Sequence, residues 1–197
     1  MLPQFCPHEY RFAVARLPFT DPGENLGVNI FRVMAHAPEA ARGFSSCGSR
    51  LLGETKLDHK LRELVINAIS VELNSPYEWS HHAKWALDVG ATVDELEALK
   101  SGDLDKLDSK ERTVVDYALK VEANEVNDAD IEALRAAGFD DREIVEITLV
   151  AGFYGMTARF INAMDVEYDE GNPQDFAIPE SSGSSRARES VERLKSS

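Results

Sequence analysis

The chain has 197 residues, 43% of them hydrophobic and 28% charged, enough for one domain that buries its own core without disulfides or a structural metal. Its 21 Lys and Arg against 35 Asp and Glu leave a net charge of −14. That field repels phosphate backbones and anionic membranes, so neither a nucleic acid nor a membrane is an expected partner. The two cysteines, Cys6 and Cys47, form no CxxC pair. A disulfide scaffold and a cysteine-based zinc ribbon are excluded, and a reducing, cytoplasmic setting fits.

The start, MLPQFCPHEYRF, lacks the basic end and long apolar run of a signal peptide. No uninterrupted run of about 18 apolar residues marks a membrane span. Residues 1–23 read as an irregular arm, broken by Pro3, Pro7, Pro18, Pro22 and Gly23. The arm carries Phe5, Tyr10, Phe12, Val14, Leu17 and Phe19, so it is expected to cover the body or a neighbouring subunit. Residues 24–168 read as one helical domain. Apolar spacing predicts helices over 25–35, 38–53, 58–73, 76–89, 93–100, 109–123, 128–137 and 141–165, with no alternating strand. Ser109 and Asp128 are read as N-caps and Gly138 as a C-cap. Gly152 and Gly155 predict close helix approach in the last helix. Residues 169–197, Ser-rich and polar beyond 180, read as a disordered tail. The Gly90–Leu99 and Gly138–Ile147 stretches echo one another as Gly stop, acidic cap and new helix. Duplication and coincidence both account for two such matches.

The chemistry concentrates in 60–90. Over 58–73 apolar residues cover most of the helix, yet Glu63, Asn67, Ser70 and Asn74 fall on a single stripe. The stripe is either a wet face or the polar wall of a pocket, where Glu63 would be a candidate acid or base. Ser75-Pro76-Tyr77-Glu78 reads as a capping box. On the helix that follows, His82 shares a face with Trp79, Ala83, Ala86 and Val89, and His81 lies one step round. A histidine so placed is either a satisfied core residue or a functional imidazole. The short connection sets the two helices side by side, which makes Glu63 and His82 a candidate proton relay. His59, His81, His82, Glu63 and Glu72 show no HExxH-like spacing, so no metal is expected. Arg159 and Asn162 are either a charge favoured by the helix C-terminus with a surface amide, or an anion anchor. Trp79, Trp85, Phe153, Tyr154 and Phe160 are read as core or interface. No phosphate loop, GxSxG elbow or dinucleotide fingerprint is present.

The run LRELVINAISVELNSPYEWSHHAKWALDVGATVDELEAL resembles the core of the carboxymuconolactone decarboxylase and alkylhydroperoxidase D superfamily. The resemblance rests on Arg62-Glu63-Leu64, His82, Gly90, Asp94 and Glu95-Leu96, continues through ERTVVDYALKV, GFDDREIVEI and RFINAMDVE, and spans about 24–168. It implies an all-α, alkylhydroperoxidase D-like helical bundle that assembles as a trimer or hexamer, with a pocket between helices near a subunit interface. In the peroxidase branch a CxxC pair precedes the histidine and a glutamate stands upstream. Aligned on His82, the two thiol positions fall on Ser75 and Glu78, and Glu63 falls on the upstream glutamate. Without an attacking and a resolving thiol the peroxidase reading is disfavoured.

The resemblance therefore implies the decarboxylase branch. The expectation is a cofactor-free enzyme acting on a small lactone or keto acid. His82 would serve as general acid or facing cation, with Glu63 setting its protonation. Tyr77, Trp79, His81, Asn67 and Arg159 would bind substrate. Two alternatives stand beside it: a non-catalytic small-molecule-binding or assembly protein of the same fold, and residual peroxidase chemistry at Cys6 or Cys47.

Overall fold

The computed structural model describes residues 28–173 and 175–179. The arm expected over 1–23 and the tail from 180 lie outside the described residues. Among those described, the chain forms eight α-helices, one short 3-10 turn and no strand, so the fold is all-α. The helices are α1 (Asn29–Met34), α2 (Pro38–Gly53), α3 (His59–Glu72), α4 (Pro76–Asp88), α5 (Val93–Ser101), α6 (Ser109–Ala123), α7 (Asp128–Ala136) and α8 (Asp141–Met164).

α3 is the central element. It packs against α4, α6 and α8, and every side chain from Leu61 to Ser70 is buried. The carboxylate of Asp58 starts it by accepting from the backbone N–H groups of Lys60 and Leu61. α5, α6, α7 and α8 each begin with a reciprocal capping box, formed by Thr92/Glu95, Asp108/Glu111, Asn127/Asp130 and Asp140/Glu143. The caps of α6 and α7 are thus Asp108 and Asn127, one residue before the expected Ser109 and Asp128. Their carboxylate or amide oxygen reaches N–H groups that the later residue, already helical, does not. Gly138 follows α7 at φ +91°, a left-handed stop that suits glycine.

The box expected at Ser75 and Glu78 does not form. Ser75 makes no side-chain cap bond, and the Glu78 carboxylate turns into the interior instead. α4 therefore starts on Pro76 alone, whose fixed φ suits the first helical position.

The core falls into three clusters. One joins α3 to α6, α7 and α8 through residues such as Val65, Ile69, Val114, Leu134 and Ile147. A second gathers Leu64, Trp79, Ala83, Leu96 and Val115 between α3, α4, α5 and α6. The third seats Ile30 and Met34 of α1 on Tyr77 and Ile161. Gly155 permits close approach, because a Cβ there would collide with the Glu122 side chain of α6. Gly152 is solvent-facing and a Cβ there meets nothing, which corrects its expected packing role. α8 is long and apolar enough, by length and composition, to cross a bilayer. The expectation of no such segment considered only uninterrupted apolar runs. Within its apolar window 61% is buried inside the fold, as befits a core helix.

Residues 169–173 and 175–179, assigned from sequence to the tail, lie against α4. Phe176 meets the Trp79 ring edge-on at 5.8 Å, and the Trp79 indole N–H donates to the Ala177 carbonyl at 2.9 Å.

Candidate active site

The polar stripe of α3 faces inward. Glu63, Asn67 and Ser70 have no exposed surface, so the wet-face alternative fails; only Asn74, past the helix end, is exposed. α3 and α4 run antiparallel. The Ser75 N–H donates to the Ser70 carbonyl at 2.7 Å, and His82 Nδ1 meets Glu63 Oε2 at 2.7 Å. Between these two rungs lie Asn67 and Glu78, each one helical turn from its relay residue. Asn67 donates to the Glu63 carbonyl oxygen at 2.8 Å, and Ser70 Oγ donates to the Asn67 carbonyl oxygen at 2.8 Å.

Glu63 is gripped from two sides. Its Oε1 accepts from Arg62 Nε at 3.1 Å and Nη2 at 2.8 Å, while Oε2 faces His82. Arg62 also donates to the Leu52 carbonyl at 2.5 Å, which fixes the guanidinium. Burial alone would push the Glu63 carboxyl up, but the charges and hydrogen bonds of His82 and Arg62 outweigh it and hold the carboxyl below its ordinary value. For His82 burial is the larger influence and lowers the imidazole, against the opposing pull of Glu63. The carboxylate is accordingly ionised and accepts from the His82 Nδ1–H. That leaves Nε2 as the basic nitrogen. The His82 ring is held edge-on between Trp85 and Tyr154, with centroids 4.8 Å away on each side.

Four polar atoms in this neighbourhood are buried without a hydrogen-bond partner: both carboxylate oxygens of Glu78, Ser75 Oγ and Asn67 Oδ1. Burial pushes the Glu78 carboxyl well above its ordinary value, so the protonated acid is favoured. Ser75, Glu78 and His82 share one face of α4. By the resemblance Ser75 and Glu78 fall at the thiol positions of the related peroxidases, while their spacing reads as a cap.

The remaining expected substrate contacts are committed elsewhere. Tyr77 donates its hydroxyl to Asp169 Oδ2 at 2.6 Å and accepts from the Ile30 N–H at 3.2 Å. His81 Nε2 meets the same Asp169 oxygen at 2.9 Å and lies 3.0 Å from Asn172 Nδ2. Trp79 is fully buried in the second core cluster. Arg159 pairs with Glu122 of α6, and Asn162 donates to the Leu73 and Asn74 carbonyls. Tyr77, Trp79, His81 and Arg159 thus have protein partners for their polar atoms in this structure. Only Asn67 of the expected binding set stands beside the relay.

Sequence reasoning missed Arg62, Glu78, Tyr154 and Asp169. The first two carried a signal, adjacency to Glu63 and a helical turn's spacing from His82. Among the described residues no group of three or more His, Cys, Asp and Glu is arranged to hold a metal. An apolar groove of about 530 Å³ opens between α1, α2 and α8, lined by Met34, Phe44, Cys47, Phe153, Met156 and Phe160 among others. That volume suits a small organic molecule.

The carboxymuconolactone decarboxylase family model matches residues 38–120, which hold Glu63, His82 and the two helices that carry them. An uncharacterized peroxidase-related protein from Silicibacter sp. TM1040 is 27% identical, covers 82% of this chain and 94% of its own, and superposes with a TM-score of 0.69. A peroxidase-related protein from Ralstonia eutropha JMP134, described as an alkylhydroperoxidase AhpD core, is 26% identical over 73% of this chain and 77% of its own, with a TM-score of 0.65. A debrominase in complex with 2,3,4-tribromopyrrole shares the fold at 15% identity, covering 85% of this chain and 82% of its own, with a TM-score of 0.62. No curated protein matches the chain. The helices, the match over 38–120 and these neighbours agree in making the chain similar to the carboxymuconolactone decarboxylase and alkylhydroperoxidase D-like superfamily.

Proposed function

We propose that this chain is a cofactor-free enzyme of proton transfer, decarboxylation included, that acts on a small lactone or keto acid through Glu63 and His82. One observation carries the reading: the buried 2.7 Å contact between Glu63 Oε2 and His82 Nδ1, which leaves Nε2 without a protein hydrogen bond among the described residues. Glu63 fixes the tautomer and orientation of the ring, and its negative charge favours the imidazolium that forms when Nε2 takes a proton. The same imidazolium can return that proton to the carbanion left by proton or CO₂ loss.

The peroxidase-related names of two neighbours raise a redox alternative. By the resemblance Ser75 and Glu78 fall at the corresponding thiol positions, and Cys47 is exposed on α2, which supports acid–base chemistry. The apolar groove supports a second reading, a small-molecule-binding protein without turnover. Assembly into a homo-oligomer belongs to the proposal as well. Val145, Leu149 and Met156 are each at least half exposed along one side of α8, and such an apolar stripe favours a partner.

The test is CO₂ release and ultraviolet absorbance with 4-carboxymuconolactone, comparing wild type with Glu63→Gln and His82→Gln. The glutamine at 82 retains a donor toward Glu63 but supplies no base. Turnover by wild type alone supports the relay. Equal turnover in all three refutes it, and ligand binding without turnover in any favours the binder.

A further inference from the structure

Tyr154 stands where a second functional group of the site belongs. It projects from the middle of α8, is 4% exposed, and meets the His82 ring edge-on at 4.8 Å and 81°. Phe153 backs it at 5.4 Å. The ring is therefore fixed on two sides, which pre-positions the hydroxyl without a bond to hold it. Buried tyrosines usually donate their hydroxyl to a protein acceptor. Tyr117, a helix away, does so with Thr148 at 2.7 Å, and Tyr77 does so with Asp169. The Tyr154 hydroxyl makes no hydrogen bond with any described residue, and only burial and nearby charges act on it. Burial, with the Glu63 and Glu78 carboxylates, keeps this phenol protonated and hence a donor. Phe153, which backs the ring, also lines the apolar groove. The Tyr154 ring thus stands between His82 and a wall of that groove.

The geometry points to Tyr154 as a catalytic residue that donates a hydrogen bond to the carbonyl oxygen of an enolisable substrate while His82 Nε2 takes the proton from the adjacent carbon. The inference rests on the relay reading above. Both atoms lack protein partners and belong to rings in contact, which suits a ligand that presents an acceptor oxygen and an acidic C–H one bond from the carbonyl. The step balances without a further reactant. The C–H bond breaks, its proton goes to Nε2, and its electron pair forms the enolate whose oxygen accepts from Tyr154. The imidazolium then returns a proton to carbon, at the same or the vinylogous position. Negative charge develops on that oxygen only as the reaction proceeds, so the donor is worth more in the transition state than in the ground state. The ligand class is therefore an enolisable lactone or ketone.

The probe for turnover is α-angelica lactone in D₂O. Proton NMR follows deuterium entry at C3 and formation of the conjugated isomer. The probe for the donor is equilibrium binding of 4-nitrophenolate, a planar oxyanion whose absorbance reports hydrogen bonding. Tyr154→Phe keeps the ring contacts with His82 and Phe153 and removes the hydroxyl alone. It is expected to slow exchange on the order of 10²-fold and to weaken 4-nitrophenolate about tenfold, with melting temperature unchanged. Tyr117→Phe, which removes a buried hydroxyl bonded to Thr148 on the α6 side of α8, is expected to behave as wild type in both. Exchange and binding equal to wild type in Tyr154→Phe overturn the assignment, as does failure of the wild type to bind 4-nitrophenolate. If the wild type binds 4-nitrophenolate through Tyr154 but exchanges no deuterium, the relay reading falls and the donor stands.

Discussion

Glu78 is the side chain whose removal is most diagnostic. Its carboxyl is 2% exposed as a residue, and neither oxygen has a partner. No cation among the described residues offsets its charge, so folding favours the protonated acid and burial raises its pKa well above 4.5. In the unfolded chain the group titrates near its ordinary value. Above that value the folded state binds more protons than the unfolded one, so stability falls as pH rises. The stabilising advantage is complete below the unfolded pKa and is lost progressively up to the folded one. One proton corresponds to a slope of about 1.4 kcal/mol per pH unit within that window. Against a total stability of roughly 5–15 kcal/mol, even one unit is measurable. Glu78→Gln removes the titration while keeping the shape and neutrality of the buried acid. Urea unfolding of wild type and variant, from pH 4 upward in unit steps, is the assay. The variant should gain on the wild type by about 1.4 kcal/mol per pH unit once pH exceeds about 4.5, whatever constant offset the amide introduces. Parallel curves across the whole range would show that Glu78 ionises as readily folded as unfolded, and the buried, unpartnered placement would be wrong.

Three further outcomes follow from the same contacts. His82→Ala leaves a buried Glu63 oxygen without its partner and should cost about 3 kcal/mol in chemical unfolding; His82→Gln should cost less than half of that, and equal losses would refute the Nδ1 contact. Asp169→Ala removes acceptors of the Asn29 N–H, the Tyr77 hydroxyl and His81 and should cost about 1–3 kcal/mol. Burial acts to raise the Asp169 carboxyl, but hydrogen bonds from His81, Tyr77 and Asn29 outweigh it and hold the carboxyl below its ordinary value. The Asp169 contribution is therefore present above the unfolded aspartate pKa and fades as pH falls below it, so wild type and variant should converge in acid; a constant gap down to pH 2 would contradict this. Arg159→Ala breaks a pair with Glu122, whose side chain is 7% exposed, and should cost about 1–3 kcal/mol with turnover intact, whereas lost turnover would place Arg159 at the substrate.

The relay was legible because both of its halves are written locally. A polar stripe on an otherwise apolar helix has to face something, and a short connection to the next helix limits what that is. His82 then stands at the right height by helical register alone. Ser75 and Glu78 were misread because a capping box and a pair of inward polar residues share the same letters. Which one forms depends on whether the glutamate has an interior to enter, and that interior is made by α8, over sixty residues later. Tyr154 had no local signal, since α8 is apolar nearly all round and one more aromatic does not break the pattern. Asp169 lies past the last helix, in a stretch whose composition reads as tail, and its partners sit 88 to 140 residues away. The Arg159–Glu122 pair is hidden for the same reason, because Glu122 is not foreseeable from the spacing of Arg159 and Asn162.

Ser75 and Glu78, where the resemblance would set two thiols, bring buried polar groups without hydrogen-bond partners among the described residues to the α3–α4 interface. Glu63 and Glu78 both lie there, within reach of the same Tyr154 hydroxyl's electrostatic surroundings, yet their environments drive them apart. Arg62 and His82 hold one carboxyl ionised, and burial without a partner keeps the other protonated. Two carboxyls so divided are a base-supporting anion and a reserve of neutral acid in one small volume, which is the division of labour that acid–base catalysis uses. A redox pair would instead need a thiolate, and this interface disfavours any added unpaired charge, because Arg62 is already spent on Glu63 and on the Leu52 carbonyl. The net charge of the buried set stays near zero only while Glu78 keeps its proton, so what reacts at His82 Nε2 must be brought by the ligand.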